Sequence, residues 1–255
     1  MPDELRTQVA DHVFTITLNR PDKHNALTKT MMASLGATLS AVAADPAVRV
    51  LIICGDGPSF CSGLDLGELS TGEAAAGLEP LEALLEQLEA MPQPTIAAVQ
   101  GNAIAGGCEL ALHCDLRIAA DTARFSMPLA RIGLAVPITL TWKLVDTIGF
   151  GKTKELLFTG EPVDAQDALA LGMVNRVVPA SELGAVVEAL AGQIVGNAPL
   201  AVRAMKAFVQ RALSHRLDIP RADLEQLTRQ VRSSEDLREG LAARRERRRP
   251  AFRGR

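Results

Sequence analysis

Short apolar runs of strand character alternate with helical stretches through the first 178 residues, and every segment after that reads as helix. Alternation of this kind requires an α/β core, and the all-helical last quarter forms an appendage to it. Residues 12–18 alternate with the two-residue period of a half-buried strand, and Asn19-Arg20-Pro21-Asp22 ends that strand with turn chemistry. Residues 48–54 form a continuous, β-branched apolar run, as in a strand covered on both faces. Further strands are expected over 95–99, 116–119 and 174–178. Between them, Thr28 caps a helix running to about Ala44, and Leu78, Leu81, Leu84, Leu85 and Leu88 repeat at helical spacing before Pro92. A short helix is expected over 107–113, then helices near 137–148, 152–158 and 164–171. The tail reads as 181–195, 199–213, 220–232 and 235–246. We divide the chain into a core over 1–196 and a helical region over 197–255.

A hydrophobic share of 47% supplies a real core, and a charged share of 22% is ordinary. A formal net charge of −3 and an aromatic content of 3% argue against a nucleic-acid or membrane-surface partner. The basic run Arg244-Arg245-Glu246-Arg247-Arg248-Arg249 departs from that average; it reads either as a solvated helix end or as help with an anionic ligand or partner subunit. Cys54, Cys61, Cys108 and Cys114 lie in or beside apolar runs, as buried thiols in a reducing compartment do. His12, His24, His113 and His215 make no metal-ligand spacing. The N-terminus lacks the pattern of a signal peptide, and no apolar run reaches the roughly 18 residues of a membrane span, so a cytoplasmic protein is expected.

Two glycine turns invite a chemical reading. Gly55-Asp56-Gly57-Pro58-Ser59-Phe60 begins like a dinucleotide fingerprint but carries Phe60 where the third glycine belongs. The second, Gly101-Asn-Ala-Ile-Ala-Gly106-Gly107-Cys108-Glu109, runs from a buried strand into a helix start. Amides at a helix start lack intrahelical partners, glycines let a ligand oxygen approach them, and the helix dipole adds positive potential. Those are the requirements of an oxyanion hole, and Glu109 sits in the first turn beside it. The same features also serve a purely structural end, in which Glu109 favours the dipole and Gly106-Gly107 allows close packing.

The surroundings carry a family resemblance. Asn19-Arg20-Pro21-Asp22-Lys23-His24-Asn25-Ala26-Leu27, Ser59-Phe60-Cys61-Ser62-Gly63-Leu64-Asp65-Leu66 and Ile96 to Gly101 with Gly106 to Ala111 occur in order. Thr159 to Ala165, Gly172 to Asn175, Glu239-Gly240 and Arg248 to Gly254 complete the set. Together they resemble the enoyl-CoA hydratase/isomerase (crotonase) superfamily over nearly the whole chain. The resemblance implies a spiral of ββα units followed by helices that assemble homotrimers, often paired into hexamers. It implies an acyl-CoA thioester whose carbonyl is held by the backbone amides of Leu64 and Gly106, with Glu109 as acid/base. Coenzyme A would lie along Lys23, His24, Ala26, Ser62, Leu64, Asp65, Leu66 and Gly67. It enters as part of the substrate, and no metal or other cofactor is implied.

One position departs from the hydratase pattern. Hydratases of the family use two carboxylates around one water, and the second falls here on Leu129, which cannot move a proton. Leu134 to Trp142 is also bulkier than the family's glycine-rich turn, so Leu129, Leu134 and Trp142 are expected to shape the acyl pocket. Enoyl-CoA hydration is the leading expectation. One-base double-bond isomerisation and a non-catalytic acyl-CoA-binding protein are the alternatives. His113 shares a helix face with Glu109 and reads as a satisfied core histidine, Arg131 as a loop anchor and Asp65 as a loop-shaping carboxylate.

Overall fold

A computed structural model describes residues 3–68, 78–213 and 222–254. His215, the end of the 55–69 loop and the first residues of the helix expected over 220–232 lie outside the described residues.

Six strands make the larger sheet: β1 (Leu5–Ala10), β2 (Val13–Leu18), β3 (Val50–Gly55), β4 (Thr95–Val99), β6 (Leu116–Ala120) and β9 (Arg176–Val178), in that spatial order. Only β1 runs antiparallel to its neighbour; from β2 onward the pairs are parallel, with Ile52 opposite Ile96 and Ala119 opposite Val177. A smaller sheet joins β5 (Asn102–Ile104), β7 (Arg124–Ser126) and β8 (Val163–Asp164). Between strands run α1 (Lys29–Ala44), α2 (Leu78–Glu89), α3 (Gly106–His113), α4 (Ile138–Thr159) and α5 (Ala165–Ala170).

The path between the sheets produces the spiral. Each inner strand of the large sheet hands the chain to a short extended segment and then to a helix: β2 to Leu27 and α1, β3 to Cys61 and Leu64 and α2, β4 to β5 and α3. Leu27 bridges Leu64, and Cys61 bridges Ala103, so successive turns are stitched together along the short segments. Apolar side chains from β2, β3 and β4 meet α1, α2 and α3 in one large core that includes Leu18, Leu35, Ile53, Leu88, Val99 and Leu110. The opposite faces of β3, β4 and β6 are covered by α6 (Leu183–Val195) through Leu183, Val187 and Ala191.

Three further helices follow: α7 (Pro199–Leu213), α8 (Ala222–Ser233) and α9 (Glu235–Arg245). They stay tied to the core. Lys206 of α7 meets the Asp115 carboxylate at 2.7 Å, and α9 packs its Leu237 and Leu241 against Ile132 and Leu134. Gly240 permits that contact, because a Cβ there would begin 2.4 Å from the Ile132 carbonyl oxygen.

The structure departs from expectation at small elements. β1, β7 and β8 were not anticipated, and the segment read as one turn over 101–107 contains β5. The helices expected near 137–148 and 152–158 are one bent helix, α4, broken at Gly149, where φ is 75°.

Candidate active site

The turn between β4 and α3 makes the site. Ala105 precedes α3 with φ 49° and ψ −120°, a conformation costly for a residue with a Cβ. Its own amide is tied to the Ser126 carbonyl at 2.9 Å, which holds the turn in that shape. The next amide, that of Gly106, and the amide of Leu64 donate to no acceptor among the described residues. The two stand close together. A Cβ on Gly106 would begin 3.7 Å from the Leu64 nitrogen, and one on Gly63 would begin 3.0 Å from the Gly106 nitrogen.

The paired glycines have separate duties. A Cβ on Gly107 would begin 2.1 Å from the Cys61 carbonyl oxygen, so this glycine lets α3 lie against the neighbouring turn of the spiral. Gly106 instead keeps open the space beside its amide, bounded by the Leu81 side chain.

That space is a cavity of about 800 Å³, its open mouth included. Leu64, Ala105, Gly106 and Glu109 form one wall, and Pro128, Leu129, Ile132 and Leu134 face them. Leu66 and Leu129 continue the apolar lining into the cluster beneath α9. Glu109 is 4% exposed, and burial, assisted by the nearby Glu82 carboxylate, pushes its pKa up to about 7. At neutral pH its proton is therefore poised to leave or return.

Supporting contacts come from three directions. His113 Nδ1 lies 2.8 Å from the Glu109 carbonyl oxygen, and burial, with Lys143, lowers its pKa to about 4. His113 is a neutral, buried residue that braces the helix and does not line the cavity. Asp65 accepts from Arg20 and from the Gly67 amide, both at 3.0 Å, and so shapes its loop as expected. Arg131 anchors to the Thr159 carbonyl and the Glu161 carboxylate.

Other anticipated residues take definite places. Ser62 lines the cavity, and its amide donates to the His24 carbonyl, so the loop holding Lys23, His24 and Ala26 runs beside the 62–67 segment. Lys23, His24 and Gly67 are exposed, Ala26 is buried, and Leu66 lines the cavity. Trp142 is the exception among the expected pocket residues: it lies half-buried on α4 and does not line this cavity. The run past Leu134 leaves the wall after Pro137, where α4 turns its first residues away. All four cysteines are unpaired, and burial pushes Cys61, Cys108 and Cys114 up to about 12, which leaves them inert.

Sequence reasoning missed Ala105, Glu82 and Arg232. Glu82, on α2, and Arg232, on α8, both line the cavity, and the Arg232 guanidinium donates to Glu82 Oε1 at 2.5 Å. Arg244 lines the cavity too, whereas Arg248 of the same basic run grips Glu239 and Glu246 outside it. No periodicity or motif marks Glu82 or Arg232; Arg244 was visible only as part of a charged run.

The family model for enoyl-CoA hydratase/isomerase matches residues 8–255. The chain belongs to that family. Among its relatives, a putative enoyl-CoA hydratase/isomerase, YngF, of Bacillus subtilis is 36% identical, covering 96% of this chain and 95% of that protein. A crotonyl-CoA hydratase of Syntrophomonas wolfei is also 36% identical, covering 95% of each. A solved methylmalonyl-CoA decarboxylase in complex with 2-nitronate-propionyl-CoA superposes with a TM-score of 0.92 at 31% identity, covering 99% of both chains. The fold of this enoyl-CoA hydratase/isomerase family member is thus the crotonase fold, and family membership makes it an enzyme of the crotonase class.

Proposed function

We propose that this protein binds an acyl-CoA thioester and stabilises its enolate. The observation that carries the reading is a single cavity holding two adjacent amides without acceptors among the described residues and a buried carboxyl group. The thioester oxygen accepts from the Leu64 and Gly106 amides as negative charge builds on it. Donors fixed in advance need no reorganisation, and losing one in an acyl-transfer site costs about 3 kcal/mol. Glu109 exchanges a proton with the acyl carbons. Coenzyme A follows the strip formed by Lys23, His24 and Ala26 beside Ser62, Asp65, Leu66 and Gly67, and the acyl chain rests on Leu129 and Leu134. The reading uses no cofactor beyond the coenzyme A that the substrate carries.

Hydration of a 2-enoyl-CoA is the reaction we assign, supported by hydratase-named relatives that match over nearly their full length. A second reading, one-base isomerisation of a 3-enoyl-CoA, is favoured by the leucine at position 129. Incubation with both thioesters separates the two, and Glu109→Gln is expected to lower whichever activity is present by about 100-fold or more. A fully active variant removes Glu109 from the chemistry and sinks the proposal; a protein that turns over neither thioester sinks it too and leaves a silent acyl-CoA binder.

The assembly belongs to the same proposal. Leu200, Met205, Phe208 and Val209 on α7 and Leu227 on α8 are exposed in the single chain, which suits a homotrimer or a pair of trimers built on these helices. Four unpaired cysteines suit the reducing cytoplasm.

A further inference from the structure

Adding water across a conjugated double bond requires two proton movements at different atoms. One removes a proton from water as its oxygen bonds to the β-carbon, and the other delivers a proton to the α-carbon. Glu109 can serve one of them. The residue opposite, Leu129, can serve neither.

A second carboxylate reaches the cavity from elsewhere in the fold. Glu82 lies half-buried on α2, directly after the buried Leu81, whose methyl group would be 2.9 Å from a Cβ on Gly106. The helix thus borders the Gly106 turn through Leu81, and the Glu82 side chain lines the same cavity as Gly106 and Glu109. Its charge is felt by Glu109, where it adds to the upward shift caused by burial. Arg232 donates to Oε1, while Oε2 has no partner among the described residues. Both partners are partly shielded, at 35% side-chain exposure for Glu82 and 21% for Arg232. A carboxylate fixed by one oxygen and open at the other is suited to hold a water molecule.

We propose that Glu82 is a second catalytic acid–base group of this site, supplying from α2 the carboxylate absent at position 129. The proposal rests on the enolate-stabilising reading above. In the forward direction Oε2 of Glu82 takes a proton from water while the water oxygen bonds to the β-carbon. The π electrons of the double bond move onto the thioester oxygen between the Leu64 and Gly106 amides. The enolate then collapses, its α-carbon takes the proton from Glu109, and exchange with solvent returns a proton from Glu82 to Glu109. One water is added, and both carboxyl groups regain their starting states. Arg232 is a positioning residue that holds Oε1 and so aims Oε2.

Two reactions on the full-length protein separate the roles. Hydration of a short 2-enoyl-CoA needs both carboxylates, whereas exchange of the α-hydrogens of a saturated acyl-CoA with deuterated water needs only Glu109 and the two amides. Glu82→Gln keeps the shape and a hydrogen-bonding partner for Arg232. It is expected to lower kcat for hydration by about 100-fold or more, with KM within threefold of the parent and a far smaller change in α-exchange, as the Glu82 charge no longer acts on Glu109. Glu82→Asp, which retains a carboxylate, should restore part of the lost hydration. Hydration by Glu82→Gln at the parental rate overturns the proposal. So does a parallel fall of both reactions with a lowered melting temperature, since that marks a helix clamp. A parent protein that exchanges α-hydrogens but does not hydrate also overturns it while leaving the enolate reading intact. A parent that does neither removes both.

Discussion

Glu109, the acid–base group of the proposed reaction, is held in the fold at the expense of stability. In water its carboxyl group would ionise near 4.5; in the fold, burial and the Glu82 charge move that to about 7. The unfolded chain therefore releases the proton first as pH rises. The stability contribution present below 4.5 is lost between there and about 7, and above that the ionised group costs about 3 kcal/mol. Glutamine cannot ionise and avoids this cost. Glu109→Gln should therefore match the parent near pH 4 and exceed it by about 3 kcal/mol at pH 8, as measured by chemical denaturation at both values, even while activity falls. The residue was legible in the sequence because its position after Gly106-Gly107 marks a helix start. Its burial was not legible, since no local pattern says that α2 and the 128–134 turn will close over it.

Among the elements, the β4–α3 turn is where sequence and structure differ most usefully. Packing and chemistry are alternative explanations of Gly106-Gly107, and the two glycines border different space: Gly107 the Cys61 backbone, Gly106 the cavity. Gly107→Ala would drive a Cβ into backbone at Cys61 and should cost several kcal/mol or prevent folding. Gly106→Ala meets only the tip of the Leu81 side chain at 2.9 Å, so it should fold with a loss near 1 kcal/mol while the cavity narrows and turnover drops. Comparing denaturation midpoints and turnover for the pair checks both expectations. The buried strands β3 and β4, and β2 with its alternating burial, were readable from their apolar patterns. β1 was not, because most of its LRTQVA side chains face solvent and an exposed strand shows no alternation. β5, β7 and β8 span two or three residues each, too short for any periodicity to register.

At the scale of the whole molecule, the α/β core and the helical tail were both foreseeable, because the change from alternation to continuous helix is written in the apolar spacing. The return of α8 to the site was not, and that of Arg244 was open only as one of the readings of the basic run. Arg232 and Arg244 belong to the last quarter of the chain yet line a cavity whose amides come from residues 64 and 106. The exposed face of α7 gives the prediction proper to this scale. Phe208, 70% exposed in the single chain, should lie between subunits in the proposed trimer. Phe208→Glu is expected to shift the protein toward monomers by sedimentation, whereas an unchanged mass would place the contact elsewhere.

The late position of α8 and α9 also bears on synthesis. A ribosome releases the Gly106 turn and Glu109 more than a hundred residues before Arg232 and Arg244. In a nascent chain Glu109 therefore exists well before the last helices that border its cavity. Arg232 and Arg244 are the last residues of the cavity wall to be synthesised, so the enclosure can be completed only near the end of translation.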